Sequence, residues 1–284
     1  MKHKAELAIH QYMSDAANGK SSISEDTVKQ IGQDVMDAMK RQFGGGNKRD
    51  EFKLRMSNIG RPTCQLWFDK NHPEKALPKP TTFVMNMMLG DIVEAVFKGI
   101  LKEAGVKYED SEQVSLNLGD DSINGTYDLV IDGAVDDVKS ASDWSYRNKF
   151  SSSEDLASGD SFGYIAQLVG YAKASKKKLG GWWVVNKATG DFKYVPASSV
   201  DEKEELEKIK NTVGTVKNNV FKRCFEPVAE YFRGKPTGNT VLNNNCRFCS
   251  YRHACWDITE KPAVKSQARE PKIVSYISMS EEYA

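Results

Sequence analysis

Two stretches of the chain combine residue types that can do chemistry. The first is Asp128 followed by Asp137-Val138-Lys139; the second is Cys246-Arg247-Phe248-Cys249-Ser250-Tyr251-Arg252-His253-Ala254-Cys255. Between the two acids lies Asp132-Gly133, flanked by strand-like runs at 127–131 and 134–139. An Asp-Gly pair so placed predicts a two-residue type I′ turn. That turn pairs Ile131 with Ala134, Val130 with Val135, Leu129 with Asp136 and Asp128 with Asp137. Opposed residues hold their Cβ atoms roughly 4.5–5.5 Å apart. Two ionised carboxylates at that distance repel, so a cation must compensate them or one must keep its proton. Alternation puts Lys139 on the face of both acids and leaves Tyr127, Leu129, Ile131, Ala134 and Val138 on the other, an apolar face suited to a helix. Asp136 falls on that apolar face or at an edge, which makes Asp137 the preferred ligand. Two acids and a lysine on one face suit a hard divalent cation beside a phosphate, since Mg²⁺ takes oxygen ligands and commonly uses one or two carboxylates plus phosphate oxygens. The lysine can orient or deprotonate the attacking water, or offset charge building on the phosphate.

Further candidates lie outside the hairpin. Glu94 follows Gly90 by one helical turn, and the missing Cβ at Gly90 lets another backbone or a metal site come close. Gln167 and Tyr171 are four apart, hence on one helix face, where they can hydrogen-bond a phosphate or hold the lysine. The chain has five cysteines, an odd number that points to metal ligands or free thiols rather than disulfides. The C-x₂-C-x₅-C spacing presents three thiolates to one metal centre. A fourth ligand can come from Cys224 or from Cys64, and spacing does not choose between them; His253 can replace a cysteine but ranks below them. Soft thiolates select Zn²⁺ or an iron–sulfur cluster.

These residues need elements to position them. Residues 1–50 predict a helical leader: Ser24 caps a helix whose Val28, Ile31, Val35, Met36 and Met39 recur at helical spacing, and Gly44-Gly45-Gly46-Asn47 follows as a joint. An apolar helix is expected over 85–104, strands over Val114, Leu116 and Leu118 and over the two arms of the hairpin, a helix over 161–178, strands over 182–186 and 192–195, and a charged helix over 201–222. Helix, three-strand meander, helix, two strands and helix make an α/β core. The segment 259–284, with Pro262 and Pro271, is expected as a polar tail outside it.

Composition narrows the class. The 284 residues are 39% hydrophobic and 28% charged, enough apolar content to bury a core and exclude wholesale disorder. The longest apolar stretches, such as Trp182-Trp183-Val184-Val185, fall far short of the roughly 20 residues that span a bilayer. The start, MKHKAELAIH, lacks the apolar region of a secretion signal. A soluble, cytoplasmic protein with no membrane association is expected. A balance of 40 Lys+Arg against 39 Asp+Glu, net +1, gives no global basic field. Positive charge is local: Lys40, Arg41, Lys48, Arg49, Lys53 and Arg55, then Lys173, Lys176, Lys177 and Lys178.

In content and order the chain resembles the iron–sulfur branch of the PD-(D/E)XK nuclease superfamily, which includes CRISPR-associated RecB-like exonucleases and the nuclease domain of AddB-type helicase–nucleases. The resemblance covers roughly residues 55–257. It rests on Ser57 through Arg61-Pro62-Thr63-Cys64, then Gly90-x-x-x-Glu94, Gly125-x-x-Asp128, Asp137-Val138-Lys139, Gln167-x-x-x-Tyr171, and Cys246-x₂-Cys249-x₅-Cys255. It implies a restriction-endonuclease-like core, a central mixed sheet flanked by helices, over 51–258. It implies that Glu94, Asp128, Asp137 and the carbonyl of Val138 bind the ion, that Lys139 serves catalysis, and that Gln167 and Tyr171 steady the site or the DNA. Relatives often have histidine where this chain has Glu94, and a carboxylate there favours Mg²⁺ or Mn²⁺. Cys64, Cys246, Cys249 and Cys255 would hold a 4Fe–4S cluster, with Zn²⁺ the alternative, leaving Cys224 free. Joining Cys64 to the C-terminal run closes a loop of about 180 residues, a restraint on the order of several kcal/mol.

The resemblance implies a metal-dependent DNA exonuclease acting on single strands or duplex ends. Trp144, Tyr146, Arg147 and Lys149 interleave rings and charge just after Lys139, a pattern that stacks unpaired bases and contacts phosphates. No G-x-x-x-x-G-K-[ST] helicase motif is present, which fits a stand-alone enzyme. A phage setting in recombination, replication or host-DNA breakdown follows family habit, as does a homo-oligomer or a recombination or replication partner. Two other classes compete: a non-catalytic DNA-end-binding or adaptor subunit that keeps the fold, and a zinc-stapled structural domain.

Overall fold

The computed structural model describes residues 3–44 and 51–281. Gly45, Gly46 and Asn47 of the expected joint, with Lys48 and Arg49, lie outside the described residues. In chain order the helices are α1 (Lys4–Ala17), α2 (Glu25–Phe43), α3 (Thr63–Asn71), α4 (Thr82–Glu103), α5 (Ser153–Ser158), α6 (Tyr164–Ser175), α7 (Glu202–Asn218) and α8 (Arg252–Cys255). The strands are β1 (Glu112–Leu118), β2 (Asp121–Tyr127), β3 (Leu129–Ile131), β4 (Ala134–Ala141), β5 (Lys178–Asn186), β6 (Phe192–Pro196), β7 (Val228–Phe232), β8 (Lys235–Val241), β9 (Thr259–Pro262) and β10 (Ile273–Ser278). The chain divides into two compact units, one of Met1–Gly60 with Pro80–Val213 and one of Arg61–Lys79 with Gly214–Ala284. Among the described residues no helix is long and apolar enough to cross a membrane.

The first unit is an α/β structure built on a mixed sheet in the order β3-β4-β5-β6, with β4 and β5 parallel and the outer pairs antiparallel. Helices cover both faces. Val130, Val135, Trp182 and Val184 pack with Leu168, Val169 and Ala172 of α6. Leu129, Ile131, Val138 and Trp183 pack with Phe97 and Leu101 of α4 and with Ala5 and Ile9 of α1. The adjacent tryptophans of β5 therefore face opposite layers, which is why this strand is apolar without alternation. The leader is helical as expected, Ser24 caps α2 by accepting from the Thr27 amide, and α1 contributes to the core rather than standing apart from it.

The hairpin has the expected register, Leu129 opposite Asp136, Val130 opposite Val135 and Ile131 opposite Ala134. Asp132 (φ 51°) and Gly133 (φ 76°) both take positive φ, the condition for a type I′ turn. The expected three-strand meander is instead two hairpins. β1 and β2 form their own two-stranded sheet, turning at Gly119 with φ 72°. The ladder breaks at Asp128, whose carboxylate takes the Val138 amide in place of a backbone partner. That break also moves Tyr127 off the apolar face expected for it: the ring packs with Val130 and Tyr171 on the other layer.

Gly125 has a reason to be glycine. A Cβ built there would lie 2.6 Å from Met56 Cβ and 2.7 Å from Tyr171 Cε1. Gly125→Ala is therefore expected to destabilise the fold by about 1–3 kcal/mol through overpacking, read as a lowered melting temperature. Gly90 differs: its nearest neighbour would be Ser140 Oγ at 3.7 Å, an ordinary contact, so no close approach explains it.

In the second unit β7-β8-β10-β9 form an antiparallel sheet. Phe68 of α3 stacks on Tyr251 with ring centroids 5.1 Å apart, and the Tyr251 hydroxyl donates to Asp69 at 2.6 Å. The region expected as a polar tail supplies β9 and β10. Tyr276, buried, donates from its hydroxyl to Glu230 at 3.0 Å. The alternation Val274, Tyr276 is too short, amid charged neighbours, to stand out in the sequence.

Candidate active site

The acids and the amine meet where β3 ends and β4 continues beside β5. Asp128, half-buried, accepts the Val138 amide on Oδ2 at 2.7 Å. In an extended strand the N–H and C=O of one residue point to the same edge, so the Val138 carbonyl faces the Asp128 side as well. Asp137 is buried; its Oδ2 lies 2.5 Å from Lys139 Nζ and makes no further hydrogen bond. Lys139 Nζ is also 3.5 Å from Gln167 Oε1 and 5.0 Å from the centre of the Tyr164 ring. Gln167 donates in turn to the Tyr171 hydroxyl at 3.1 Å. The i,i+4 pair on α6 thus holds the lysine.

Glu94 on α4 joins this group electrostatically, but its carboxylate pairs with Lys98 at 2.9 Å, and Lys98 also reaches Asp110 at 2.9 Å. Burial, then the charge of Asp128, raises Glu94 above the usual carboxylate range. Burial, then Asp137, pushes Asp128 up to about 7. Burial also raises Asp137, against the pull of Lys139. Desolvation opposes the charge on Lys139, but Asp137 and Asp128 outweigh it and hold the ammonium protonated well above its ordinary range. The crowding is thus met by a cation beside Asp137, while burial and the charge of Asp137 raise its neighbour Asp128.

Asp136 is held away from this group, its carboxylate accepting from the Gly181 amide at 2.8 Å, Trp183 Nε1 at 3.1 Å and the Tyr194 hydroxyl at 2.9 Å. Tyr164 and Lys98 belong to the site's surroundings and were not singled out from sequence. Lys98 carried a usable signal, its i,i+4 spacing from Glu94; the Tyr164 ring carried none. Of the ring-and-charge segment, Trp144 is 68% exposed, Arg147 pairs with Asp143 at 2.9 Å, and the Tyr146 ring lies under Lys193. Lys149 sits 4.9 Å from the Phe162 ring and 5.4 Å from that of Tyr164, and those rings stack.

Among the described residues, no three His, Cys, Asp or Glu side chains are spaced to grip one ion as they stand. The donor chemistry of the acids nonetheless suits a hard cation: hard oxygens, a sealed Asp137 oxygen served only by an ion pair, and carboxylates raised chiefly by burial. A raised carboxylate binds more protons folded than unfolded. Stability is thus expected to fall as pH rises from about 4 to about 7 and to level off beyond. Asp128→Asn should flatten part of that slope, leaving the share due to Asp136, which burial also raises to about 7. An ion held by these raised carboxyls would compete with protons, so Mg²⁺ is expected to raise the wild-type melting temperature more at pH 8 than at pH 6.

All five cysteines lie in the second unit, and none is in a disulfide. Cys246 ends a turn of 3₁₀ helix, the Cys249 amide donates to the Cys246 carbonyl at 3.0 Å, and Cys255 closes α8. Burial and the sulfurs of Cys249, Cys255 and Cys224 push Cys246 up to about 11. Cys64 is the second residue of α3, and its backbone amide donates to Cys224 Sγ at 3.1 Å. This set of soft sulfurs suits Zn²⁺ or an iron–sulfur cluster.

No protein family's sequence profile matches the chain, and no curated protein matches it. Among solved structures it is similar to one described as "Crystal structure of SSO0001", with a TM-score of 0.43, 12% identity, and coverage of 82% of this chain and 98% of that chain.

Proposed function

We propose that this protein is a divalent-metal-dependent deoxyribonuclease of the PD-(D/E)XK superfamily, an exonuclease acting on single-stranded DNA or duplex ends. One observation carries the reading: Asp128, Asp137 and Lys139 crowd together at the end of β3, with Gln167 and Tyr171 bracing the amine. The order of α4, the β3–β4 hairpin, α6 and a β5 parallel to β4 supports a restriction-endonuclease-like core.

Glu94, Asp128, Asp137 and the Val138 carbonyl would hold Mg²⁺ or Mn²⁺. The bound ion supplies Lewis acidity toward the scissile phosphate and its attacking water. Lys139, kept protonated by two acids, acts as a fixed positive charge for the phosphate oxygens rather than as a base. Gln167 limits the rotamers of that amine. The stacked rings of Phe162 and Tyr164, with Lys149 over both, and the exposed Trp144 give unpaired bases a surface to stack on. Cys64, Cys246, Cys249 and Cys255 would hold a structural 4Fe–4S cluster, or Zn²⁺.

The test is incubation of end-labelled single- and double-stranded DNA with Mg²⁺ or Mn²⁺. Wild type should shorten the label progressively and Asp137→Ala should not. Binding without cutting, with either ion, would favour the second reading, a non-catalytic DNA-end-binding or adaptor subunit. A specific observation speaks for that alternative: Lys139 and Lys98 already neutralise Asp137 and Glu94.

A further inference from the structure

We propose that Cys224 is a ligand of the thiolate centre and shares one coordination position with Cys64. This rests on the reading of Cys246, Cys249 and Cys255 as metal ligands. Cys224 lies between α7 and β7 in a segment fastened to α3. Trp67 Nε1 donates to the Asn219 carbonyl at 3.1 Å, Asn71 Nδ2 donates to Asn219 Oδ1 at 2.7 Å, and Phe221 packs on Trp67 with centroids 4.8 Å apart. So fastened, the segment delivers Cys224 Sγ to the N-terminus of α3. There the Cys64 amide donates to it at 3.1 Å and the Thr63 hydroxyl lies 3.4 Å away. Such outer-shell donors fix the orientation of a ligating thiolate.

The neighbouring residue ties this segment to the C-terminal run. Arg223 donates twice to the Cys255 carbonyl, at 3.2 and 2.8 Å, and its guanidinium lies 4.2 Å from the centre of the Trp256 ring. A tetrahedral zinc or a cubane cluster takes four sulfurs, and this unit carries five cysteines, none in a disulfide. Cys64 and Cys224, joined by the hydrogen bond from the Cys64 amide to the Cys224 sulfur, are the two that can alternate.

The test uses full-length protein purified without oxygen, as wild type, C64S, C224S, the C64S/C224S double variant and C249S, measuring iron and zinc per chain and the visible spectrum. Each single variant at 64 or 224 should keep metal with an altered spectrum, and the double variant should lose it, as C249S does. Loss in C64S alone, with C224S matching wild type in metal and spectrum, would overturn the proposal while leaving the centre intact. Wild type without iron or zinc would remove the centre itself, and the proposal with it. A measurement without variants guards against misfolding: peptide-mapped alkylation of wild type should divide between Cys64 and Cys224 while metal is bound, sparing Cys246, Cys249 and Cys255, and should label Cys224 more heavily once a chelator has stripped the protein. Equal labelling in both states would also overturn the proposal.

Discussion

Lys139→Ala is expected to lower DNA cleavage by about 10²–10³-fold, the scale for removing one fixed charge donor from a transition state, with DNA affinity little changed. The amine is the cation nearest the buried Asp137, at 2.5 Å, and Gln167 and Tyr164 hold it in place. Its removal leaves Asp128 and Asp137 crowded without compensation, so both shift further toward the protonated form. Ion binding should then need a higher pH, and the pH profile of residual activity should move to the alkaline side. A merely structural lysine would not move that profile. Lys139→Arg, which keeps the charge on a differently shaped head, should retain part of the rate. Cleavage by the alanine variant at the wild-type rate would take Lys139 out of the chemistry.

Asp136→Ala should produce the largest loss of stability of any single change at this sheet. The substitution strands the Gly181 amide, the Trp183 indole N–H and the Tyr194 hydroxyl around a position that is 1% exposed. Each stranded donor costs about 1–3 kcal/mol, so the sum approaches the whole stability of a typical domain, about 5–15 kcal/mol. Gly180 makes the same point from the other strand, because a Cβ there would come 2.0 Å from Asp136 Oδ1. Expression should fall, and any soluble protein should melt far below wild type. Asp137→Asn, one residue along, should keep the fold and lose cleavage, since it relieves repulsion between neighbouring acids. If the Asp136 variant melted normally and the Asp137 variant unfolded, the roles assigned to the two acids would have to be exchanged.

The site was readable from sequence where its geometry is local. Asp132-Gly133 specifies a turn through two positive φ values, and the turn carries the register from Ile131 opposite Ala134 to Leu129 opposite Asp136; the expected pair Asp128–Asp137 lies beyond the ladder, where the Asp128 carboxylate takes the Val138 amide instead. The i,i+4 spacing of Gln167 and Tyr171 likewise follows from the helical repeat alone. Alternation failed at Tyr127, because a period of two presumes an unbroken strand and the ladder breaks at Asp128. The strands β9 and β10 were missed because their pairing partners supply most of their stabilisation, and a polar, proline-containing segment gives little local sign of that.

What this amino-acid order determined unaided is a hairpin with two acids and an amine on one face, a helix presenting Gln167 and Tyr171, and a run of closely spaced thiols. Packing between distant segments decided which groups became partners. The Tyr164 ring settled by Lys139, and Cys224 arrived at the head of α3. The physical reason is range: turn and helix periodicities are set by backbone sterics within a few residues. Pairings across many tens of residues depend instead on which burial of apolar surface is most favourable for the chain as a whole.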